Sequence, residues 1–426
     1  MDALIVLAVT VLAYYFIIFS KKVNKAIMTF FLATILFILK PVAGLTFENA
    51  GEIVSFETLG ILLGMMIIVE IMKETGFFTF IAINVIKISK ARFWMVMFLL
   101  MIVVIFFSAF LDNLVTILLI APIIFLIADT VKINPAPLMI FTIIVDNIGG
   151  MSTLIGSPLN IVLGSIGNLD FNRFLLTMLP ISMISFVSSF FMFKSQNKFD
   201  IKLLNKRLQG LMKMDPYKAI QDKNLMIKSV VIFLIVLIGF MLHTVINIDL
   251  ALIAMSGALL LMLLSNRDFE KMAKKIDWNT MFFYAGLFIL TYSLEKIGVI
   301  ELISNVFMPL NDNPLILMLV FMWLGALITP FLSAVPGALI MAPVISLLIS
   351  NGAPYELWFA FAIGANLGTN LTPLGAVQNI VGLSLIEKQT GSSYGFTQYI
   401  KMTYKFVLVP MILGSGYLIT FYYFFS

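Results

Sequence analysis

The chain has 426 residues, 61% of them hydrophobic and only 12% charged, with a mean hydropathy of +1.07. Soluble domains carry about twice that charged fraction, and apolar runs of bilayer-spanning length recur throughout, so the composition predicts an all-α polytopic membrane protein without a soluble domain. The absence of cysteine and the single histidine exclude disulfides and thiolate sites and leave Ser-His chemistry poorly supplied.

In chain order, the first apolar run covers residues 3–20, lacks a basic leader and a cleavage site, and ends in Lys21-Lys22. It reads as a retained helix and not a signal peptide. Helices are expected over 26–44 and 56–73, with an amphipathic piece over 77–89. An apolar arm over 93–107 stops at SAFLDN (residues 108–113) and resumes over 114–128. A straight crossing would place Asp112 and Asn113 beyond the membrane, whereas a re-entrant hairpin holds them near the midplane. A broken segment over 137–165 and a helix over 174–193 complete the first half.

Residues 194–228 hold nine Lys/Arg against three Asp and read as a solvated cytoplasmic connector. The pattern then resumes with 229–245, 250–264 and 280–297. A second hairpin follows, with arms 315–328 and 338–350 around TPFLSAVPG (residues 329–337). A second broken segment over 357–386 and a last helix over 402–424 close the chain. The organisation is thus a first repeat (1–193), a basic connector (194–228) and a second repeat (229–426).

With both hairpins re-entrant there are ten crossings. All but Lys40, Arg173 and Lys296 of the 27 Lys/Arg then fall on one face, which the positive-inside rule makes the inner one. The expected location is the cell membrane, with both termini outside. The basic surplus is accounted for by topology, so nucleic acid is not an expected partner; the lipid bilayer is.

The halves repeat. Thr58, Gly64 and Gly76 fall on Thr280, Gly286 and Gly298 at an offset of 222 (280−58). Asn147, Gly149, Thr153, Gly156 and Asn160 fall on Asn366, Gly368, Thr372, Gly375 and Asn379 at an offset of 219 (366−147). Five crossings per half force the second copy upside down, an inverted repeat.

The matching broken stretches, VDNIGGMSTLIGSPLNIV (residues 145–162) and GANLGTNLTPLGAVQNIV (residues 364–381), point to a transporter's midplane site. Irregular backbone survives at membrane depth only when buried in protein or lining a wet cavity. Tightening of helix packing by small and polar residues explains one such stretch more readily than two in register.

These stretches, together with GMMIIVEIMKETGFF (residues 64–78), SAFLDNLVTILLIAPI (residues 108–123) and IDWNTMFFYAGLFIL (residues 276–290), resemble the ion transporter superfamily. That group contains arsenite permeases, sodium–proton antiporters and di- and tricarboxylate carriers; the arsenite-permease-like and pink-eyed-dilution-like members are most similar. The resemblance covers essentially the whole chain. It implies inverted repeats whose hairpin tips meet unwound helices, elevator-like motion, and often a dimer. It also implies a cation, commonly Na+, at each tip, with the substrate between.

Carried over by position, the first site uses Ser108, Asp112 and Asn113 with Asp146, Asn147, Gly149, Thr153, Ser157 and Asn160. Asp112, Asn113 and Asn147 are its candidate Na+ ligands. The second uses Ser333 with Asn366, Gly368, Thr369, Asn370, Thr372 and Asn379. At the second tip SAVPGALIMAP replaces the family's usual acidic or amide pair. Its spacing also shortens, from 14 residues between Ser108 and Pro122 (122−108) to 10 between Ser333 and Pro343 (343−333). Both departures weaken a second cation site. The carboxylate carriers' paired Ser-Asn-Thr signatures are missing as well.

Acids deep in a membrane are functional candidates by default, which singles out Asp112 for coupling and leaves Asp146 between function and a local cap or pair. Glu70 and Lys73, three apart, are expected to pair, and His243 reads as an ordinary interfacial histidine.

The expected function is secondary active transport of a small inorganic or organic ion coupled to Na+ or H+, without another cofactor. Arsenite-like oxyanion efflux or sodium–proton antiport is favoured over dicarboxylate or citrate carriage. There is no P-loop, so ATP coupling would require a separate ATPase subunit. An intramembrane aspartyl enzyme using Asp112 and Asp146 is the alternative from another class, but an acid–base dyad leaves the second polar break unexplained. A passive channel is a third reading.

Overall fold

The computed structural model describes residues 2–19 and 23–425; Ser20, Lys21 and Lys22, where the first expected helix ends in its basic pair, lie outside the described residues. Among the described residues every regular element is helical. The first half contains α1 (Asp2–Phe19), α2 (Lys25–Leu39), the short α3 (Ala50–Ile53), α4 (Phe56–Glu74), α5 (Phe77–Ile88), α6 (Phe93–Phe110), α7 (Asn113–Val131), α8 (Ala136–Gly150), α9 (Pro158–Gly167) and α10 (Phe171–Gln196). After α11 (Ile201–Leu208) in the connector come α12 (Lys223–Ile246), α13 (Leu250–Ser265), the short α14 (Phe269–Ala273), α15 (Trp278–Lys296) and α16 (Val299–Phe307). The chain closes with α17 (Pro314–Leu332), α18 (Ala334–Ser350), α19 (Leu357–Gly368), α20 (Val377–Thr390) and α21 (Phe396–Phe425). Among the described residues six helices are long and apolar enough to cross a membrane by length and composition.

Local chemistry sets these boundaries. Asn24, Ser55, Asp170, Asp222 and Asp277 cap α2, α4, α10, α12 and α15 by accepting backbone N–H groups of the first turn, each interaction worth about 1 kcal/mol. The second helix stops at Leu39 and not at residue 44, because the residue before Pro41 is barred from the α region; Lys40 adopts the left-handed conformation instead (φ 46°). Both hairpin turns are tighter than the sequence suggests. Leu111 and Asp112 alone separate α6 from α7, and Ser333 alone separates α17 from α18. Thr329, Pro330, Pro336 and Gly337, expected in a turn, are all helical.

The connector is likewise not merely a solvated loop. Leu204, Leu208 and Leu211 are buried. Asn205 Oδ1 accepts from Phe93 N–H at 2.8 Å, Arg207 donates to the Val131 carbonyl at 2.6 Å, and Gln221 N–H donates to the Thr75 carbonyl at 3.0 Å. It therefore docks on the ends of α4, α6 and α7. Nearby, Glu70 pairs with Lys73 as expected (3.2 Å), and Glu74 binds Arg267 (3.0 Å) and Lys275. The hydrogen bond to Glu74 holds the Lys275 ammonium above its ordinary pKa.

The two halves interlock by exchange. Helix α13 packs on α4 while α2 packs on α15, and α18 packs on α9 while α20 packs on α7. Within each half the hairpin lies along the broken helix, α6 on α8 and α17 on α19. Glycines set the closeness of these crossings. A Cβ on Gly64 would strike the Ala254 backbone, and one on Gly364 would overlap the Met322 carbonyl; backbone cannot swing aside as a side chain can.

Gly364→Ala should therefore lower unfolding stability by about 1–3 kcal/mol, the usual cost of overpacking. Gly416, with open space where its Cβ would go, is the control. Melting temperatures in detergent, with Gly364→Ala below and Gly416→Ala equal to the unaltered protein, check this.

Candidate functional site

A helix that stops inside an apolar interior strands up to four carbonyls or four N–H groups, so each break needs local partners. Between α8 and α9 the Asn160 side chain donates to the carbonyls of Gly150 (3.1 Å) and Thr153 (2.8 Å). Between α19 and α20 Asn379 does the same for Thr369 (2.7 Å) and Thr372 (3.0 Å). These two asparagines staple their own breaks. Thr153 and Thr372 tie each break to a hairpin end, donating to the carbonyls of Ala109 and Pro330. Gly149 and Gly368 admit the facing backbones of Ile105 and Ala326. Thr369 turns its hydroxyl back onto the Asn366 carbonyl (2.6 Å), and Ser157 sits buried at the start of α9.

The hairpin contacts fix the register between repeats. Ser108 donates to the Asp146 carbonyl, and Thr329 donates to the Ala365 carbonyl at 2.9 Å. Thr329 is therefore the counterpart of Ser108, at an offset of 221 (329−108). Ser333 is then the counterpart of Asp112, and Pro343 of Pro122. The shortened second-tip spacing is corrected accordingly: Thr329 to Pro343 is again 14 residues (343−329).

At the centre the halves meet through amides. The Asn147 amide donates to Asn370 Oδ1 (2.8 Å) and Asn379 Oδ1 (3.2 Å), and its carbonyl accepts from Gln378 (2.6 Å) and Asn113 (3.5 Å). Asn366 donates to Asn160 Oδ1 at 2.8 Å, which completes the reciprocal link. Asn113 Oδ1 lies 2.8 Å from the Ser108 hydroxyl oxygen and shares its single proton with the Asp146 carbonyl. All these amides are buried, and none of the network residues is a Lys, Arg or His.

Four features stand outside this satisfied web. Both carboxyl oxygens of fully buried Asp146 lack a hydrogen-bond partner among the described residues, as does the Asn370 amide nitrogen. Asp146 thus caps no helix, and the Ser108 hydroxyl is the polar group that lies against its carboxyl. Asp112, half-buried, caps α7 through Oδ1, which accepts from Leu114 (2.9 Å) and Val115 (3.4 Å); it also lines a small space against Met65 and Met66 of α4. Ser333 holds φ 69°, ψ 158°, a region essentially confined to glycine, and such strain clusters at functional sites. Among the described residues no group of three or more His, Cys, Asp or Glu converges as a metal site.

With this geometry in place, comparison with known proteins places the chain. Residues 14–364 match the family model described as citrate transporter. The chain belongs to the citrate transporter family. This membrane transporter is 30% identical over 420 residues to the 46 kDa membrane protein of Mycobacterium leprae (strain TN), covering 97% of this chain and 98% of the relative. It is 31% identical over 421 residues to an uncharacterized transporter of Mycobacterium tuberculosis (strain ATCC 25618 / H37Rv), covering 97% of each. The pink-eyed-dilution resemblance is also borne out: the P protein of Homo sapiens is 26% identical over 450 residues, and the match spans 86% of this chain but only 54% of the P protein.

Among solved structures, the YdaH transporter of Alcanivorax borkumensis aligns at a TM-score of 0.58 with 16% identity, covering 98% of both chains. Neisseria gonorrhoeae MtrF, described as illuminating a class of antimetabolite efflux pumps, aligns at 0.58 with 14% identity over 90% of this transporter and 83% of MtrF. Both support the fold. Family membership and relatives that are transporters agree with a chain that is not an enzyme.

Sequence reading missed Gln378 and Thr329. Gln378 falls opposite Leu159 at the 219 offset, so the repeat argument hid it; its place beside Asn379 in the polar break was the available signal. Gln378→Leu would leave the Asn147 carbonyl with only its 3.5 Å contact to Asn113. A stability loss of about 1–3 kcal/mol is expected for a buried amide deprived of its partner, read as a lower detergent melting temperature. Gln378→Glu, which keeps the shape but cannot donate to that carbonyl when ionised, should fall in the same direction.

Proposed function

We propose that the protein is a secondary active transporter that moves a small ion through the membrane in exchange or symport with H+ or Na+. Asp146 carries the reading. A carboxyl sealed from water with both oxygens unpartnered is costly unless it carries a proton or meets a cation, and exchange between those conditions is what coupling requires. Asp112 is its neighbour in function at the first hairpin tip; Asn113 and Asn147 offer further oxygens to Na+ there.

The substrate lies between the two breaks, among Asn147, Asn366, Asn370, Gln378 and the ends of α7, α18, α9 and α20. Amides present donor and acceptor together. A hydroxylated oxyacid bearing little charge suits them, because the network offers no basic side chain to balance a polyanion. Arsenite-like oxyanion efflux is therefore favoured, with sodium–proton antiport as the related case. Carboxylate carriage is the second reading, supported by the family model; it would need cations bound alongside the substrate. MtrF's description as an efflux pump supports outward movement.

In this reading the hairpins and broken helices travel together, elevator-like, against a frame of α1, α2, α4, α12, α13 and α15. The halves are inverted in a cell membrane, both termini are outside, the hairpins are re-entrant, and the unit is a dimer. Contact of each tip with a helix break supports re-entrance, although α6, α7 and α17 are themselves of spanning length.

The test is uptake into proteoliposomes under separate Na+ and pH gradients, with arsenite and a dicarboxylate as probes. Asp146→Asn should abolish gradient-driven accumulation. Asp112→Asn keeps the α7 cap, because Asn caps as well as Asp, and should weaken coupling without unfolding the protein. If Asp146→Asn still concentrates substrate at wild-type levels, the coupling role assigned to this carboxyl is wrong.

A further inference from the structure

Away from the central amides, a cavity of about 430 Å³ opens among α3, α4, α9, α15, α16 and α18. Its walls come from α3, the start of α4, the end of α15 and α16 on one side, and from the end of α9 and α18 on the other. It sits at the end of the molecule remote from the connector. Helix α4 begins here at its Ser55 cap, while Thr75, just past its other end, holds Gln221 of the connector. Ser55 and Ser165 Oγ, 2.7 Å apart, bridge the two sides at the wall.

The chemistry of the lining is one-sided. Glu52, Glu295 and Glu301 contribute carboxyls, and the remaining polar side chains are hydroxyls; no Lys, Arg, His, Asn or Gln lines the cavity. Among the described residues these three glutamates have no ion pair. Lys296, next in sequence to Glu295, stacks instead over the Tyr292 ring at 5.1 Å. An independent observation points the same way: Thr291, 5% exposed, lines this cavity, and its hydroxyl has no hydrogen-bond partner among the described residues.

We propose that this cavity is a binding vestibule for a small monovalent cation, which keeps part of its water shell and is held by Glu295, Glu301, Glu52 and the Thr291 hydroxyl. Polar groups that are all oxygens, three of them carboxyls, favour hard cations over anions. The carboxyls do not converge as a set for a bare metal ion, and the volume admits several waters at about 30 Å³ each. Because its walls belong to both frame and moving elements, an ion here is positioned to enter as those elements shift. Its consequence, supply of the coupling cation from the face opposite the basic loops, rests on the coupling reading given above; its existence does not.

Equilibrium binding of radiolabelled Na+ to the purified full-length protein tests it. Thr291→Val and the Glu295→Gln/Glu301→Gln pair should each weaken one binding component by roughly three- to tenfold, the equivalent of one lost charge-assisted or hydroxyl contact. Asp146→Asn should leave that component in place. Thr291→Val removes an orphan hydroxyl with little change in shape, so it should melt no lower than wild type, and a loss of binding cannot be assigned to unfolding. Binding unchanged in both vestibule variants overturns the proposal. A vestibule-dependent component in a protein whose transport ignores Na+ supports the site and overturns Na+ coupling instead.

Discussion

Everything at the centre of this protein follows from the need to satisfy peptide groups at two helix breaks where no water is available. An unpaired amide or carbonyl in such an interior costs about 1–3 kcal/mol or more, and each break exposes several. The chain answers with side-chain amides placed ten residues on from the carbonyls they serve: Asn160 for Gly150, and Asn379 for Thr369. Once those asparagines are committed to their own breaks, their Oδ1 atoms remain as acceptors. The facing half then supplies the donors, Asn366 to Asn160 and Asn147 to Asn379. Local repair of the backbone thereby becomes the joint between halves.

The same economy governs the hairpins. Thr153 and Thr372 reach the last carbonyls of α6 and α17, and Ser108 and Thr329 reach back to carbonyls of α8 and α19. Such contacts require the backbones to approach closely, which is why Gly149 and Gly368 stand where a Cβ would meet Ile105 and Ala326. Each hairpin tip is thereby held to its broken helix by hydroxyl-to-carbonyl bonds in both directions. The crossings of α4 with α13 and of α2 with α15 are close for the same reason, since a Cβ on Gly64 would meet the Ala254 backbone and one on Gly286 the Phe30 backbone.

Much of this was legible in the sequence because its signals are chemical and repeated. Paired glycines and asparagines at a constant offset gave the breaks and their symmetry, and apolar length gave the helices. What escaped was what depends on three-dimensional register. The tip correspondence was misread because two serines, Ser108 and Ser333, look alike, whereas the true partner of Ser108 is Thr329, a different residue making the same hydroxyl-to-carbonyl bond. The connector's docking escaped because its buried leucines, Leu204, Leu208 and Leu211, are sparse among lysines. Gln378 escaped because its counterpart is a leucine, and symmetry reveals only what both halves share.

Those departures from symmetry are where directionality can enter. A perfectly repeated site would treat its two sides alike, yet Asp112 and Asp146 face Ser333 and Ala365 at the 221 and 219 offsets. Both acids therefore belong to one half. The first half contributes ionisable oxygen, and the second contributes a strained serine turn, the donor nitrogen of Asn370 and the extra amide of Gln378. The ionisable side chains at the joint are confined to one side, while hydrogen-bonding capacity is richer on the other. In the function proposed above, an arrangement of that kind would separate the coupling step from substrate recognition and link them through Asn147, which accepts from Asn113 beside the acids and donates to Asn370 across the joint.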